Sequence, residues 1–128
     1  MKIKWVRCHP VFIFRSDWFV KPRGGCAWTF LCLCLVFVRS DLWGDDGLIR
    51  HELVHVDQHV RSFYLHPLFY WLNDNYRLNC EVEAYRVQLG CYPSFNSVEL
   101  ICRFAYYISD WYGLDISYDM AMVFLAGD

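Results

Sequence analysis

His51-Glu52-Leu53-Val54-His55 puts two imidazoles and a carboxylate within five residues. On a helix, two His four positions apart lie about 40° from each other, so both rings can reach one ion. The Glu between them flanks the same face, where it can take a proton from a water that the ion polarises. The chain has 5 His, and in such a composition H-E-x-x-H arises by chance with a probability of roughly 0.6 per cent. The spacing therefore carries information beyond the composition.

These side chains need a helix to hold them, and the pattern predicts one from about Leu48 to Phe63. Ile49, Leu53, Val56, Val60 and Phe63 recur at helical spacing and form one apolar stripe. A polar loop from Arg39 to Gly47 precedes it, in which Asp45 or Asp46 can cap the helix start. His51 and His55 lie about 200–240° round from Ile49, on the far side of the stripe. Histidines buried only for packing would lie inside it.

A catalytic zinc takes three protein ligands and keeps one position open. His59 shares the helix face, but its Cα lies about 12 Å from that of His51. Zinc–nitrogen bonds of about 2.1 Å cannot span that on a straight helix. The longer pattern HExxHxxGxxH also fails, because Gln58 and Arg61 stand where its glycine and third histidine would be. A later helix, from about Arg77 to Leu89 and ending at Gly90, carries two carboxylates. Its stripe is Leu78, Val82, Tyr85 and Leu89. Glu81 lies at the edge of that stripe, whereas Glu83 points about 140° away, toward water. Ala84 is small enough to let this helix approach the first closely. Glu81 is thus the chosen third ligand, its alternative use being an edge ion pair with Arg77 or Arg86.

Two segments carry a family resemblance. His51 to Gln58, H-E-L-V-H-V-D-Q, is similar to the H-E-L-x-H-x-x-Q start of many gluzincins, the zinc metallopeptidases with an H-E-x-x-H helix followed by a glutamate helix. Asn79 to Tyr85, N-C-E-V-E-A-Y, looks like their E-x-x-A glutamate motif. The chain most resembles their very small members, over about Leu48 to Leu89. The resemblance implies hydrolysis of peptide bonds in a peptide or protein substrate. It implies one Zn2+ per chain on His51, His55 and Glu81, with Glu52 as general base. Family members often add a Tyr or His that steadies the oxyanion, and Tyr76 and Tyr85 both lie near the glutamate motif. The free ring nitrogens of the two His need acceptors, for which Asp57 and Asn79 are within reach in sequence. A departure is size: no second lobe walls a long cleft.

Two other classes compete. In a non-catalytic, zinc-stabilised domain, Cys80 or His59 would close the site as a fourth ligand. An inactive zincin-like interaction domain would need no metal. Glu52 speaks against both, since neither has a use for a carboxylate there.

The rest of the chain must supply the frame. A length of 128 residues suits one domain, residues 1–128, and 56% hydrophobic residues can fill its core. The net charge is −2 and Lys and Arg form no basic stripe, so nucleic acid is not an expected partner. Residues 1–24 read as one or two short strands ending in a turn at Lys21-Pro22-Arg23-Gly24-Gly25. Arg15 and Asp17 break the first apolar run, so a signal sequence is not expected there. Residues 26–38 read as one strand, apolar on both faces and covered on both. That run is shorter than the roughly 20 residues of a membrane span, and no transmembrane span is expected.

Seven Cys is an odd number. Cys26, Cys32 and Cys34 read as small buried hydrophobes. Unpaired thiols point to a reducing compartment, and the expected location is cytoplasmic. A second helical piece from Pro67 to about Asn73 is broken by Asn73-Asp74-Asn75. A fourth helix starts at Asn96 with Glu99 in capping-box position, and its stripe is Val98, Ile101, Ala105 and Ile108. A last short helix falls around Met120 to Leu125. The expected fold is α+β and zincin-like: a small N-terminal β-sheet packed on three to four helices. The site lies between the 48–63 and 77–89 helices. The strand ahead of the motif helix could offer an edge to an extended peptide. The sequence gives no oligomeric state.

Overall fold

Alternating burial with a period of two makes the N-terminal part a one-sided sheet. The computed structural model describes residues 1–20, 27–30, 34–94 and 97–127. Strands β1 (Lys2–Val6), β2 (His9–Arg15), β3 (Ala27–Phe30) and β4 (Leu35–Val38) stand in the order β1-β2-β4-β3. β1 and β2 are antiparallel, β2 and β4 run parallel, and β3 is antiparallel to β4. One helical turn, α1 (Asp17–Val20), follows β2. Val11, Ile13, Val36 and Val38 are wholly buried on one face. Phe14 and Phe37, on the other face, stack with ring centroids 5.7 Å apart and stay half-buried.

Residues 26–38 are therefore not one strand. Ala27 to Phe30 folds back along Leu35 to Val38, with Ala27 opposite Val38 and Phe30 opposite Leu35. Nor is the stretch covered on both faces: Val36 and Val38 are buried, while Leu35 and Phe37 are half-buried. A continuous apolar run carries no periodicity, so it hides a reversal as easily as it fills a long strand. Cys26 and Cys32, and the turn expected at Lys21 to Gly25, lie outside the described residues.

The motif helix, α2 (Asp46–Arg61), begins where Asp45 caps it by accepting from the Leu48 N–H at 2.9 Å. The same carboxylate accepts from the Tyr92 hydroxyl at 2.6 Å. Gly47 makes room for that ring: a Cβ there would come within 2.6 Å of Tyr92 Cζ. Leu48, Ile49 and Val56 pack on the buried face of the sheet with Val11, Ile13, Val36 and Val38. The helix ends at Arg61, and Phe63 is 85% exposed. The expected stripe thus loses its last member, because the backbone turns left-handed at Phe63 and Tyr64.

Four helices complete the frame: α3 (His66–Leu72), α4 (Asp74–Leu89), α5 (Ser97–Trp111) and α6 (Tyr118–Ala126). The Asn-Asp-Asn run only punctuates the chain. Asn73 caps α4 by accepting from the Tyr76 N–H at 2.9 Å, and α4 starts one residue later. Ser117 caps α6 in the same way. On α5, Val98 faces solvent, and Phe104 joins Ala105 and Ile108 in the buried stripe. These meet Tyr85, Leu114, Ala121 and Leu125 in a second apolar cluster. The fold is α+β, with α2 between the sheet on one side and α4 on the other. Ala84, fully buried on α4, permits the close approach. None of Cys8, Cys34, Cys80, Cys91 and Cys102 is in a disulfide. Among the described residues, no helix is long and apolar enough to cross a membrane.

Asp45 both starts α2 and anchors Tyr92. Asp45→Ala should destabilise the protein by about 1–2 kcal/mol, from the lost cap alone. Urea unfolding followed by circular dichroism measures it, and an unchanged midpoint would refute the cap's weight.

Candidate metal centre

The inner face of α2 and the facing edge of α4 bring His51, His55 and Glu81 together, with one donor atom of each within 4.8 Å of the others. The two Nε2 atoms lie 3.2 Å apart. His51 Nε2 is 3.8 Å from Glu81 Oε2, and His55 Nε2 is 3.6 Å from Glu81 Oε1. Ligands on a tetrahedral ion with bonds of about 2.1 Å stand about 3.4 Å apart. The two imidazoles stand near that spacing and each is within 3.8 Å of one Glu81 oxygen, though not of the same one, so the group could bind a metal ion. Glu81 is 1% exposed and its Oε2 has no hydrogen-bond partner. The two cations that might have taken it are engaged elsewhere. Arg77 bonds Asp74 and the Tyr70 carbonyl, and Arg86 bonds the carbonyls of Phe124 and Gly127.

Gln58 fixes the proton on His55. Its amide nitrogen donates to the Cys80 carbonyl at 3.0 Å and to Glu83 Oε2 at 2.8 Å. Its oxygen must then be the atom 2.9 Å from His55 Nδ1, which makes Nδ1 the donor. The Nε2 lone pair is left facing the cluster, as a metal ligand requires. Glu83 is exposed and pairs with Arg61, so it supports this carboxamide from outside. The acceptors expected from sequence do not serve. Asp57 pairs with Arg7 and Arg61, and Asn79 faces solvent.

Gln88 stands in the matching place for His51. Its nitrogen donates to the Tyr92 hydroxyl at 3.1 Å, and Tyr92 in turn donates to Asp45. Gln88 Oε1 and His51 Nδ1 are both buried without a partner, and Gln88 favours the protonated ring of its neighbour. Burial dominates, however, and holds the pKa of His51 well below the usual range. For His55, burial also lowers the pKa, but the carboxylates of Glu81 and Glu52 outweigh it and raise it.

Glu52 is 8% exposed and accepts a short hydrogen bond on Oε2 from the Thr29 hydroxyl of β3. Burial raises its pKa, His55 and Thr29 oppose the rise, and Glu81 adds to it. Thr29, His51, Glu52, His55 and Glu81 all line one cleft of about 960 Å³. Its far wall includes Tyr107 and Trp111, stacked at 4.0 Å.

The two tyrosines singled out from sequence diverge. Tyr76 bonds His66 Nδ1 at 2.9 Å and lines a separate, smaller pocket. Tyr85 lines the main cleft, with its ring 4.4 Å from that of His51 and its hydroxyl 2.8 Å from that of Tyr112. Tyr70, which the sequence reading passed over, donates to Glu81 Oε1 at 2.6 Å. Burial, then Glu81, raise its pKa, so it keeps the proton it donates. The signal was the His66/Tyr70 pair at i, i+4, the inward face of a helix read only as aromatic-rich. Neither possible fourth ligand joins the cluster. Cys80 Sγ lies 3.9 Å from His66 Nδ1, and burial pushes the thiol up to about 11. His59 packs its ring on Tyr64, 5.2 Å away.

Metal content by mass spectrometry should separate the carboxylates. Glu81→Ala loses stoichiometric metal, and Glu83→Ala keeps it. Gln58→Ala should weaken binding by about 10–100-fold, because His55 loses its orienting acceptor. Full metal in Glu81→Ala would exclude it as a ligand. No family model, no curated protein and no solved structure matches the chain, so this centre is read from its own geometry.

Proposed function

We propose that the chain is a minimal zinc metallopeptidase of the gluzincin type, with a zincin-like fold, acting on a peptide or protein substrate. One observation carries the reading: two imidazoles and a carboxylate with one donor atom of each within 4.8 Å of the others, and a further buried carboxylate on the same cleft. Two nitrogens and one oxygen suit zinc, which is held by three protein ligands in catalytic sites. When bound, the ion would lower the pKa of a water toward about 7 and polarise the scissile carbonyl.

The remaining work falls to the chain's own groups. Glu52 takes the proton of the attacking water and returns it to the leaving amine. Thr29 holds one of its oxygens, leaving the other to act as the base. Burial raises the carboxyl's pKa, which makes it a stronger proton acceptor than an exposed glutamate. Thr29 belongs to β3, which pairs only with β4 among the described strands. An extended peptide can add to that edge through main-chain hydrogen bonds, which would bring its carbonyl toward Glu52. Tyr85 and Tyr112 share one hydroxyl–hydroxyl bond, so one O–H of the pair is left to donate to an oxyanion in the cleft.

Glu52→Gln tests the mechanism. The amide is isosteric but cannot accept the proton. Turnover of a broad peptide library should fall by about 10²–10⁴-fold, with metal content and fold unchanged. Equal turnover would remove Glu52 from the mechanism. A stoichiometric metal with four protein ligands would favour the non-catalytic zinc domain.

A further inference from the structure

We propose that the outer face of α3, with the turn before it, is the interface of a homodimer. This rests on the surface alone and is independent of the catalytic reading. α3 buries His66 and turns Tyr70 inward to Glu81. Its other side spans about 160° of the helix and carries Leu68, Phe69, Trp71 and Leu72, all exposed. The outward face of a surface helix is normally polar. Here it has no polar side chain. Trp71 is 82% exposed and Leu72 77%.

The preceding turn extends the patch. Phe63 and Tyr64 have φ of 51° and 66°. Residues with a side chain rarely adopt that left-handed region, because Cβ crowds the backbone there. The turn is nevertheless fixed. The Tyr64 hydroxyl is 2.7 Å from His9 Nε2, and its ring packs on His59. That anchoring leaves Phe63 projecting into solvent beside α3. Each large aromatic offers about 150–250 Å², so residues 63–72 together present on the order of 800 Å² of apolar surface. The largest patch on a typical monomer is about 300–600 Å². One partner's share of a stable interface is about 800 Å².

Charge decides what covers it. Arg61 is paired with Asp57 and Glu83, and Arg77 with Asp74. The rim is therefore neutralised, and the net charge of the chain is −2. An anionic lipid surface or an acidic peptide would call for unpaired cations at such a rim. A neutral apolar patch needs no complement but itself, which a twofold axis supplies. Pro67, Tyr70 and Trp71 also line the metal cleft, so the partner copy would sit beside its mouth. That would give this small chain a second wall.

Sedimentation velocity of the full chain at micromolar concentration is the test, with far-ultraviolet circular dichroism and metal content checked in parallel. The wild type should run as a dimer. Trp71→Lys and Leu68→Lys should run as monomers with unchanged fold. Phe63→Ser, outside any helix, should weaken the dimer at least tenfold and covers the case in which a helix variant misfolds. Trp5→Lys, on the exposed edge strand β1, should leave the dimer intact. A monomeric wild type would overturn the proposal, as would a dimer indifferent to Trp71→Lys, Leu68→Lys and Phe63→Ser. So would a monomer that co-sediments with phosphatidylcholine vesicles, which would assign the patch to lipid.

Discussion

Glu81 is the constraint on which the rest of the structure turns. A carboxylate at 1% exposure with one unpaired oxygen is costly unless a positive charge meets it. Among the described residues, no arginine or lysine does so. What meets it is a pair of imidazoles, whose Nε2 atoms stand 3.2 Å apart and 3.6 to 3.8 Å from its oxygens. With His55 Nδ1 fixed as a donor, the His55 Nε2 lone pair points into the cluster. Glu81 and Glu52 draw His55 toward its charged form, which is one way to meet the buried carboxylate, and a bound cation would be another. The same arrangement could bind a metal ion.

Holding Glu81 there requires two helices at close range, and the sequence provides for this on both. Ala84 removes the bulk between α2 and α4. Gln58 and Arg61 on α2 reach across to Cys80 and Glu83 on α4 and tie the pair on its outer side. α2 itself is set by the sheet. Leu48, Ile49 and Val56 seat its other face on Val11, Ile13, Val36 and Val38. Aliphatic burial thus fixes the orientation of α2, and polar contacts fix its distance from α4. The sheet also delivers Thr29 to Glu52, so both candidate chemical groups are held from two sides.

Much of this was legible because helical geometry is local. An angle of 100° per residue separates Glu81 from Glu83, and it sorted the buried carboxylate from the exposed one. The same rule put His51 and His55 on the face opposite Ile49, and Asp45 is the cap that a polar residue before an apolar-periodic run implies. The failures were of another kind. The 26–38 run is apolar throughout, so nothing in its pattern marked the reversal between β3 and β4. Phe63 kept the helical spacing of its stripe, but the helix had ended two residues earlier and its side chain turned outward. Tyr70 and Gln58 act through contacts across 11 and 22 residues of chain, and Gln88 bonds Tyr92, which itself reaches back 47 residues to Asp45. Periodicity does not report such pairings. Asp57 and Asn79 are near the histidines in sequence only, and Arg7, from a distant hairpin, pairs with Asp57 instead.

The choice of carboxamides over carboxylates around the histidines has an electrostatic reason. The cleft already holds two buried acids, Glu52 and Glu81. With both His neutral, a divalent cation would bring that group to zero net charge. An aspartate behind either imidazole would add a third negative charge in a medium where buried charge is expensive. Gln58 orients its histidine without doing so, and Gln88 stands where it can do the same. Tyr70 likewise brings Glu81 a donor that carries no charge. Glu83 is outside the cleft and neutralised by Arg61, and Asp45, at the cleft, is occupied by the Leu48 N–H and the Tyr92 hydroxyl. The neutral supports therefore add no charge to a group that a divalent cation could bring to balance.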